Sequence, residues 1–266
     1  MASLLKPFSI LNYVATHLNN PARSNTVHIL TTSRGVIYCW LPFINMDIRE
    51  LHRDLVSLHE RPDPAHTTDG VRQLLGTILS QSVADAQTAR ATHALFERYP
   101  DYQAMETAPH EELADVIEVA GLKNQKAARI QRALTAIREE TDGEYTLGFL
   151  ADQPTDAAQS WLTNIKGIGP KTASVVLNFH FEKPTFAVDT HVERLAKRFG
   201  LLDSTASNKR AHTELNEQVP DDLKYSLHVL MITHGREYCT AQNPDCANPV
   251  CKIYCSCSAC GSSDGS

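Results

Sequence analysis

The stretch NIKGIGPKTASVV, residues 164–176, decides the fold class of this chain. Its two glycines and one proline are typical of a tight turn, and the apolar residues behind them are typical of a buried helix. Gly167 and Gly169 permit positive φ and a close backbone approach, and Pro170 suits the first position of a helix. The stretch therefore predicts two helices joined by a compact hairpin, with Lys171 in the first turn of the second helix.

The hairpin and its lysine allow two kinds of chemistry. Exposed backbone N–H groups at such a turn form a site for one phosphate. The positive end of the helix dipole and the apolar neighbours of Lys171 disfavour an ammonium there, which favours a neutral amine able to form a Schiff base. The alternatives are an ordinary helix–helix connection, and a lysine that contacts phosphate as a point charge.

A carboxylate follows eighteen residues after the lysine. Asp189 opens the predicted helix DTHVERLAKRFG, which ends at Gly200. An Asp in this position accepts hydrogen bonds from the first N–H groups of the helix and stays ionised. An isolated Asp-Thr pair is most often only a helix cap, but the lysine and the aspartate in this order form a stronger signal than either alone.

The rest of the chain from Met46 to about Tyr238 is almost wholly helical in pattern. One apolar face recurs with helical spacing and comprises Val71, Leu74, Leu75, Ile78 and Leu79. Alternating strand patterns are absent, apart from a weak candidate in VHILTTSRGVIYCW, residues 27–40. The predicted fold class is all-α.

Composition limits the function classes. The chain has 266 residues, 42% of them hydrophobic, and a formal net charge of −6, so an anion-binding surface has to be local. No apolar run is long enough to span a membrane, and the start lacks the order of a secretory signal, which favours an intracellular protein. Residues 1–45 contain no Asp or Glu. They form an N-terminal extension of uncertain status: dispensable, an over-long start before Met46, or a transit peptide.

The residues 165–200, IKGIGPKTASVVLNFHFEKPTFAVDTHVERLAKRFG, resemble the endonuclease III branch of the helix–hairpin–helix (HhH-GPD) DNA glycosylases. The resemblance covers about residues 46–260. Proteins of that branch excise damaged bases, mainly oxidised pyrimidines, from double-stranded DNA and then nick the abasic site. The resemblance implies a base-excision-repair DNA N-glycosylase with abasic-site lyase activity, acting as a monomer and without a membrane. In a bacterium it would act in the cytoplasm, at the nucleoid.

The resemblance also implies roles for single residues. The family's lysine after the hairpin attacks the sugar C1′, and its aspartate assists base loss; by position these are Lys171 and Asp189. The chemistry suits both residues, because a carboxylate stabilises the positive charge that develops on the sugar, and a Schiff base acidifies the 2′ hydrogen for β-elimination. The nucleotide must first be flipped out of the duplex.

The residues that resemble the family's DNA contacts are Gly167, Gly169, Leu122, Gln81, Ser82, Asp85 and His191. Leu122 matches a wedge that enters the duplex gap, although packing inside its own loop is the alternative. The segment ILSQSVAD matches the lining of the flipped-base void. It departs from the family at Ser82, which stands where the family has a glutamine that fills the void. Gln81 lies one place earlier, and on a helix its side chain would point about 100° away from that of residue 82.

Local charge supports a nucleic-acid partner. Residues 119–138 contain five basic residues and no acid, and residues 163–198 add more basic residues. Charge runs are usually solvated helix faces, so this is supporting evidence only. The basic residues counted toward the surface are Lys123, Lys126, Arg129, Arg132, Arg138, Lys166, Lys183, Arg194, Lys197 and Arg198.

Six of the seven cysteines lie in residues 239–260. Such a cluster indicates a metal site in a reducing compartment. Cys239, Cys246, Cys251 and Cys257 have the spacing C-x6-C-x4-C-x5-C, which is similar to the family's C-x6-C-x2-C-x5-C for a [4Fe–4S] cluster, with a longer middle gap. Two surplus cysteines leave the fourth ligand open among Cys255, Cys257 and Cys260. A four-cysteine zinc site is the main alternative.

The resemblance predicts two helical lobes on either side of a DNA-binding cleft. One is residues 67–180 and ends in the hairpin; the other joins 46–66 to 181–260 with the iron–sulfur loop, and 261–266 form a tail. Three other functions stay open: a monofunctional mismatch or damaged-base glycosylase, a module that only binds DNA, and a weakly active paralogue. The lysine argues against the first, and Asp189 argues against the second, since plain DNA binding needs no carboxylate beside a phosphate site.

Overall fold

The computed structural model describes residues 13–14, 29–32, 35–38, 46–63 and 69–255. The described part of residues 46–255 contains twelve α-helices and three short 3-10 helices, so the all-α prediction is confirmed there. The α-helices are α1 Ile48–His59, α2 Gly70–Leu79, α3 Asp85–Arg98, α4 Tyr102–Thr107, α5 His110–Val116, α6 Lys123–Glu140, α7 Thr155–Asn164, α8 Pro170–Phe181, α9 Thr190–Arg198, α10 Asn208–Gln218, α11 Lys224–Glu237 and α12 Pro249–Tyr254. The 3-10 helices are Glu118–Ala120, Gly148–Leu150 and Asp221–Leu223.

A small antiparallel sheet lies in the N-terminal segment. Its strands are β1 Tyr13–Val14, β2 Ile29–Thr32 and β3 Gly35–Tyr38, in the order β1-β2-β3. Strands β2 and β3 lie within the one stretch for which the sequence indicated strands. In the described parts of the chain, no helix is both long and apolar enough to cross a membrane.

Helices α2 to α8 surround one hydrophobic cluster. The apolar face predicted for the first of them is confirmed, because Val71, Leu74, Leu75, Ile78 and Leu79 are all buried. Helix α8 packs against both α2 and α7. The residues that follow the hairpin therefore stand on a rigid support.

A second hydrophobic cluster joins α1 to the C-terminal half of the chain. It contains Leu51 and Leu55 from α1, apolar side chains from residues 186–202, and side chains of α10, α11 and α12. Three cysteines of the C-terminal group, Cys239, Cys251 and Cys255, belong to it. The exact division into lobes at residues 67 and 180 stays a prediction.

The helical pattern of residues 69–99 is divided by a turn. Helix α2 ends at Leu79 and α3 begins at Asp85. Between them Ser82 has a φ of 60°, in the left-handed region that breaks a helix, and Ala84 is extended. Residues 80–84 therefore form a partly exposed turn rather than a continuation of the helix.

Helix α9 begins and ends as its sequence predicts. The Asp189 carboxylate accepts a hydrogen bond from the Val192 N–H at 2.8 Å, which is the arrangement of an N-cap. After the last turn, Gly200 has a φ of +78° and stops the helix.

Glu106 makes stability dependent on pH. Burial raises the pKa of its carboxyl, but hydrogen bonds from Arg138, Tyr145 and Thr135 outweigh burial and leave the pKa below its usual 4.5. A pKa lowered by folding means that the stabilisation is complete above about pH 4.5 and is lost as the pH falls through the folded-state pKa. We expect Glu106→Gln to flatten the acid limb of the unfolding free energy in urea titrations, whereas exposed Glu139→Gln should leave it unchanged. An unchanged acid limb in Glu106→Gln would contradict this account.

Candidate active site

The hairpin between α7 and α8 is a tight turn with one essential glycine. Gly167 has a φ of +104°, and a Cβ there would lie 2.6 Å from Cγ of Arg129, so both conformation and space require glycine. Ile165 and Ile168 are buried and anchor the turn to the core. Gly169 differs from the expectation: its φ is −96°, and a Cβ there would meet nothing within 4 Å. That open space leaves room for a ligand beside the start of α8.

Lys171 and Asp189 lie side by side. The Lys171 Nζ is 4.0 Å from Oδ2 of Asp189, although the two residues stand on different helices. Nearly half of the Lys171 side chain is exposed (46%), so the desolvation expected from the sequence is not found. The Asp189 side chain is 11% exposed, and its other oxygen caps α9. The amine is thus open to a ligand, while the carboxylate is fixed behind it.

The segment before Asp189 is held in place by two polar side chains, the half-buried Asn216 and the buried His228. Asn216 forms hydrogen bonds with both the N–H and the carbonyl of Phe186, at 2.7 and 2.9 Å. His228 forms a hydrogen bond through Nδ1 with the Ala187 carbonyl at 2.8 Å. Burial lowers the pKa of His228 to about 4, so the ring is neutral and donates its Nδ1–H at pH 7. Sequence inspection missed His228 and Asn216, because neither belongs to a local motif.

A cleft of about 830 Å³ surrounds the lysine and the aspartate. Its walls come from residues of α2, α3 and the turn between them, from α8, and from α9 and α11. The side chains predicted for the site that line it are Gln81, Ser82, Asp85, Lys171, Asp189 and His191. The structure therefore brings six of the predicted residues together around one cavity.

Leu122 stands at the tip of a separate loop. Its backbone is left-handed, with a φ of 48°, and its side chain is 51% exposed. In the described part of the chain it is the one large hydrophobic side chain that is exposed. Packing inside its own loop, the alternative from sequence, is therefore not what this leucine does here.

Gln81 is directed into the protein, and Ser82 stands at the turn. Nε2 of Gln81 donates to Oγ1 of Thr172 at 3.1 Å, and Nη1 of Arg129 donates to the side-chain oxygen Oε1 of Gln81. Thr172 is the residue after Lys171, so Gln81 ties the 80–84 turn to the start of α8.

Asp85 forms an ion pair across the mouth of the cleft. Nη1 of Arg236 lies 2.7 Å from Oδ2 of Asp85, and Nη2 lies 3.2 Å from Oδ1. Asp85 begins α3 and Arg236 is in α11, so the pair joins the two sides of the cleft. Arg236 belongs to the HGREYC segment, for which the sequence alone indicated no role.

His191 and Gly235 explain why α9 and α11 lie so close together. A Cβ on Gly235 would be 3.1 Å from Nδ1 of His191 and from Nη2 of Arg194. These two nitrogens are themselves 3.1 Å apart. The glycine therefore lets the first turn of α9, which carries His191 into the cleft wall, approach α11.

Most side chains of the predicted basic surface form ion pairs or hydrogen bonds with other groups of the protein. Lys123 pairs with Asp115, Arg138 pairs with Glu106, and Arg132 donates to the Lys166 carbonyl. Lys126 was counted as a surface charge, and this is wrong, because its side chain is completely buried. The other basic residues that donate to protein groups are Arg129, Lys183, Arg194, Lys197 and Arg198.

Two of the predicted ligands, Cys239 and Cys251, come together with Cys255. Contacts with Cys251 and Cys255 lower the pKa of the Cys239 thiol well below its usual range, against burial and with help from the Arg198 guanidinium. The Arg198 Nη1 lies 3.1 Å from the Cys239 Sγ. The half-buried Cys246 precedes them, while Cys257 and Cys260 lie outside the described residues. Within the described ranges, no three potential ligands reach a metal-holding arrangement.

This donor set fits an iron–sulfur cluster in its chemistry. Fe–S clusters are held by cysteine thiolates, and a thiol with a strongly lowered pKa beside a guanidinium is a thiolate at pH 7. The three converging cysteines are buried, as the ligands of a structural cluster are. Cys255 was surplus in the family's spacing, yet it contacts Cys239.

The chain matches a described family and named relatives. The sequence model for the "HhH-GPD superfamily base excision DNA repair protein" matches residues 75–221. The endonuclease III of Thermotoga maritima is 34% identical over 208 residues, which cover 78% of this chain and 92% of that protein. The endonuclease III of Treponema pallidum is 34% identical over 214 residues, or 79% of this chain and 96% of that protein.

Solved structures give the same result. A trapped covalent intermediate of endonuclease III with DNA matches with a TM-score of 0.69 and 29% identity, covering 80% of this chain and 96% of that chain. A non-covalent complex of endonuclease III with DNA matches with a TM-score of 0.68 and 30% identity over the same shares. The chain therefore belongs to the HhH-GPD superfamily of base excision DNA repair proteins, in its endonuclease III branch.

Proposed function

We propose that this chain removes oxidised pyrimidines from double-stranded DNA and then cleaves the strand, with Lys171 as the nucleophile and Asp189 as its carboxylate partner. The observation that carries the proposal is the 4.0 Å distance between Nζ of Lys171 and Oδ2 of Asp189 at the edge of an open cleft. A helix cap needs no lysine beside it, and a phosphate contact needs no carboxylate beside it.

The chemistry follows from these two groups. The Lys171 amine attacks C1′ of the flipped nucleotide; a C–N bond to the lysine forms while the bond from C1′ to the base breaks, and the base leaves with the electron pair. Asp189 stabilises the positive charge that develops on the sugar. The amine nitrogen loses a proton after the attack, and the ring oxygen takes up a proton as the C1′–O bond of the sugar ring breaks, which gives a protonated Schiff base. The Schiff base acidifies the 2′ hydrogen; loss of that proton to solvent forms the C2′–C3′ double bond and expels the 3′ phosphate, which cuts the strand.

DNA engagement uses other parts of the same face. The open space beside Gly169 and the N-terminus of α8 suit one backbone phosphate. The exposed Leu122 suits insertion into the stack where the nucleotide has been flipped out. Ser82, Asp85 and His191 line the cavity in which the flipped base would lie.

The proposal is tested with duplexes that carry one oxidised pyrimidine, one abasic site or no lesion. Base release and strand cleavage are measured separately. We expect both products from the lesion duplex, cleavage from the abasic duplex, and neither from intact DNA. Base release without strand cleavage would favour a monofunctional glycosylase, and binding without either product would favour a module that only holds DNA.

We also propose that the cysteine group holds a [4Fe–4S] cluster. Cys239, Cys246 and Cys251 would provide three ligands, with Cys257 or Cys255 as the fourth. Such a cluster would fix the C-terminal loop against α9 and α11, since Arg194 and Arg198 already hold the Cys239 carbonyl. It supplies electron-transfer chemistry when bound, and no step at the sugar requires it.

Loss of one ligand should release the metal and loosen the second hydrophobic cluster. We expect Cys251→Ser to lower both the iron and the acid-labile sulfide per chain and to lower the midpoint of thermal unfolding. Cys39→Ser is the matched control, because Cys39 is far from the group in sequence. Full iron and sulfide content in Cys251→Ser, or zinc in the purified wild type in place of iron and sulfide, would contradict the assignment.

A further inference from the structure

Lys126 is a completely buried cation whose partners are backbone carbonyls. Its Nζ donates to the carbonyl of Leu79 at 2.7 Å and to that of Ala120 at 2.8 Å. Burial, with a smaller effect of Arg129, lowers the pKa of this amine. In the described part of the chain no carboxylate pairs with it. A buried, unpaired cation is unfavourable, so its position calls for an explanation.

The two carbonyls lie at the bases of the 80–84 turn and of the loop that carries Leu122. Leu79 is the last residue of α2, directly before the 80–84 turn, and Ala120 is the last residue of the 3-10 helix, directly before Gly121 and Leu122. Carbonyls at the C-terminal ends of helices lack intrahelical donors and carry partial negative charge. The two carbonyls therefore stabilise an ammonium at the point where the end of α2 meets the end of the 3-10 helix.

The two loops are neighbours along their length. Nε2 of Gln87, in the first turn of α3, donates to the Val119 carbonyl at 3.3 Å. A Cβ on Gly121 would lie 3.7 Å from Cγ1 of Val83. The two loops therefore lie next to each other, and the ammonium of Lys126 bridges the two carbonyls at their bases.

We propose that Lys126 is a positioning residue that fixes the Leu122 loop against the 80–84 turn, and so sets where Leu122 enters the duplex. The inference rests on the proposed function, because it assumes that Leu122 is inserted into DNA. Lys126 itself contacts neither DNA nor the reacting atoms. Replacement by methionine keeps the volume and removes the donor, which leaves both carbonyls buried without a partner and frees the loops to move apart.

The test compares double-stranded with single-stranded DNA that carries the same abasic site. Insertion of Leu122 is needed only in the duplex, whereas attack of the Lys171 amine is needed in both. The rate of borohydride trapping on each DNA is measured for the wild type and for Lys126→Met. We expect the duplex rate to fall about tenfold or more, because the variant loses both charge-assisted hydrogen bonds of the ammonium, and the single-strand rate to change less than about twofold. Equal losses on both DNAs would overturn the proposal.

A double-mutant cycle makes the test specific for the wedge. Leu122→Ala should show the same duplex-selective loss, and Lys126→Met combined with Leu122→Ala should be no slower than the slower single variant. Multiplied losses would mean that the two residues act independently, which overturns the proposal. If Lys126→Met does not fold, Lys126→Gln, which keeps a polar group at the site, takes its place with the same expected direction.

Lys183 provides the matched control. Its Nζ also donates to two backbone carbonyls, those of Ala151 and Gln153, at 2.9 and 2.6 Å, and none of the three residues lines the cleft. Lys183→Met should show no duplex-selective loss of trapping. If Lys183→Met loses duplex trapping as selectively as Lys126→Met does, the selectivity comes from lowered stability in general, and the proposal is overturned. A wild type that traps neither DNA would contradict the proposed function itself, whereas trapping without selectivity in Lys126→Met contradicts this inference alone.

Discussion

Lys171→Ala is expected to lose covalent trapping and strand cleavage by about a thousandfold or more, the scale on which removal of a nucleophile acts. The amine is the only group in the proposed scheme that bonds to C1′, so no neighbouring side chain replaces it. Trapping with borohydride on abasic duplex measures the first effect, and strand cleavage at the same site measures the second.

Lys166→Ala is the control that shows whether Lys171 is a nucleophile or only a phosphate contact. Lys166 lies in the hairpin five residues before Lys171, and its side chain is exposed, so its removal takes away a nearby positive charge and no amine from the cleft. We expect weaker DNA binding with a shallower dependence on salt, so that the loss of affinity is larger at low salt, and trapping at saturating enzyme close to wild type. If Lys171→Ala behaves like Lys166→Ala, losing affinity but keeping the covalent adduct, then Lys171 is a phosphate contact.

Asp189→Asn is expected to slow base release about a hundredfold while the protein stays folded, since one preorganised electrostatic contact has about that effect on a rate. The asparagine keeps the oxygen that caps α9 through the Val192 N–H and removes the charge next to Lys171. Base release from the lesion duplex should fall more than trapping at a preformed abasic site, where the bond to the base is already broken.

Asp189→Ala completes the comparison. It removes the cap as well as the charge, and we expect it to lower stability by about 1 kcal/mol in addition to the rate effect. Thermal unfolding of both variants distinguishes the cap from the charge. Wild-type base release by Asp189→Asn, together with lower stability of Asp189→Ala, would show that this carboxylate is only a helix cap.

The local features of the site could be predicted from sequence because short-range chemistry specifies them. Gly167 at a positive φ, Pro170 at the first position of α8 and Asp189 as the cap of α9 depend on neighbours a few residues away. The 3.6-residue period of Val71 to Leu79 likewise fixes which face of α2 is buried.

Contacts between distant residues could not be predicted in this way. Whether Lys126 is a surface charge depends on where the ends of α2 and of the 3-10 helix Glu118–Ala120 meet. From the sequence alone, Lys126 looks like any other exposed lysine of a basic helix. The pair of Asp85 and Arg236 joins residues 151 apart, and Gln81 and Thr172 are 91 apart. Such contacts follow from the packing of helices, and no local sequence motif encodes them.

The most direct test of the account is to locate the covalent bond. The wild-type protein is reduced with borohydride on an abasic duplex, digested with protease and nuclease, and analysed by mass spectrometry. We predict that the sugar remnant is attached to the peptide that contains Lys171, on its Nζ. An adduct on any other amine, or no adduct from protein that cleaves the strand, would contradict the account.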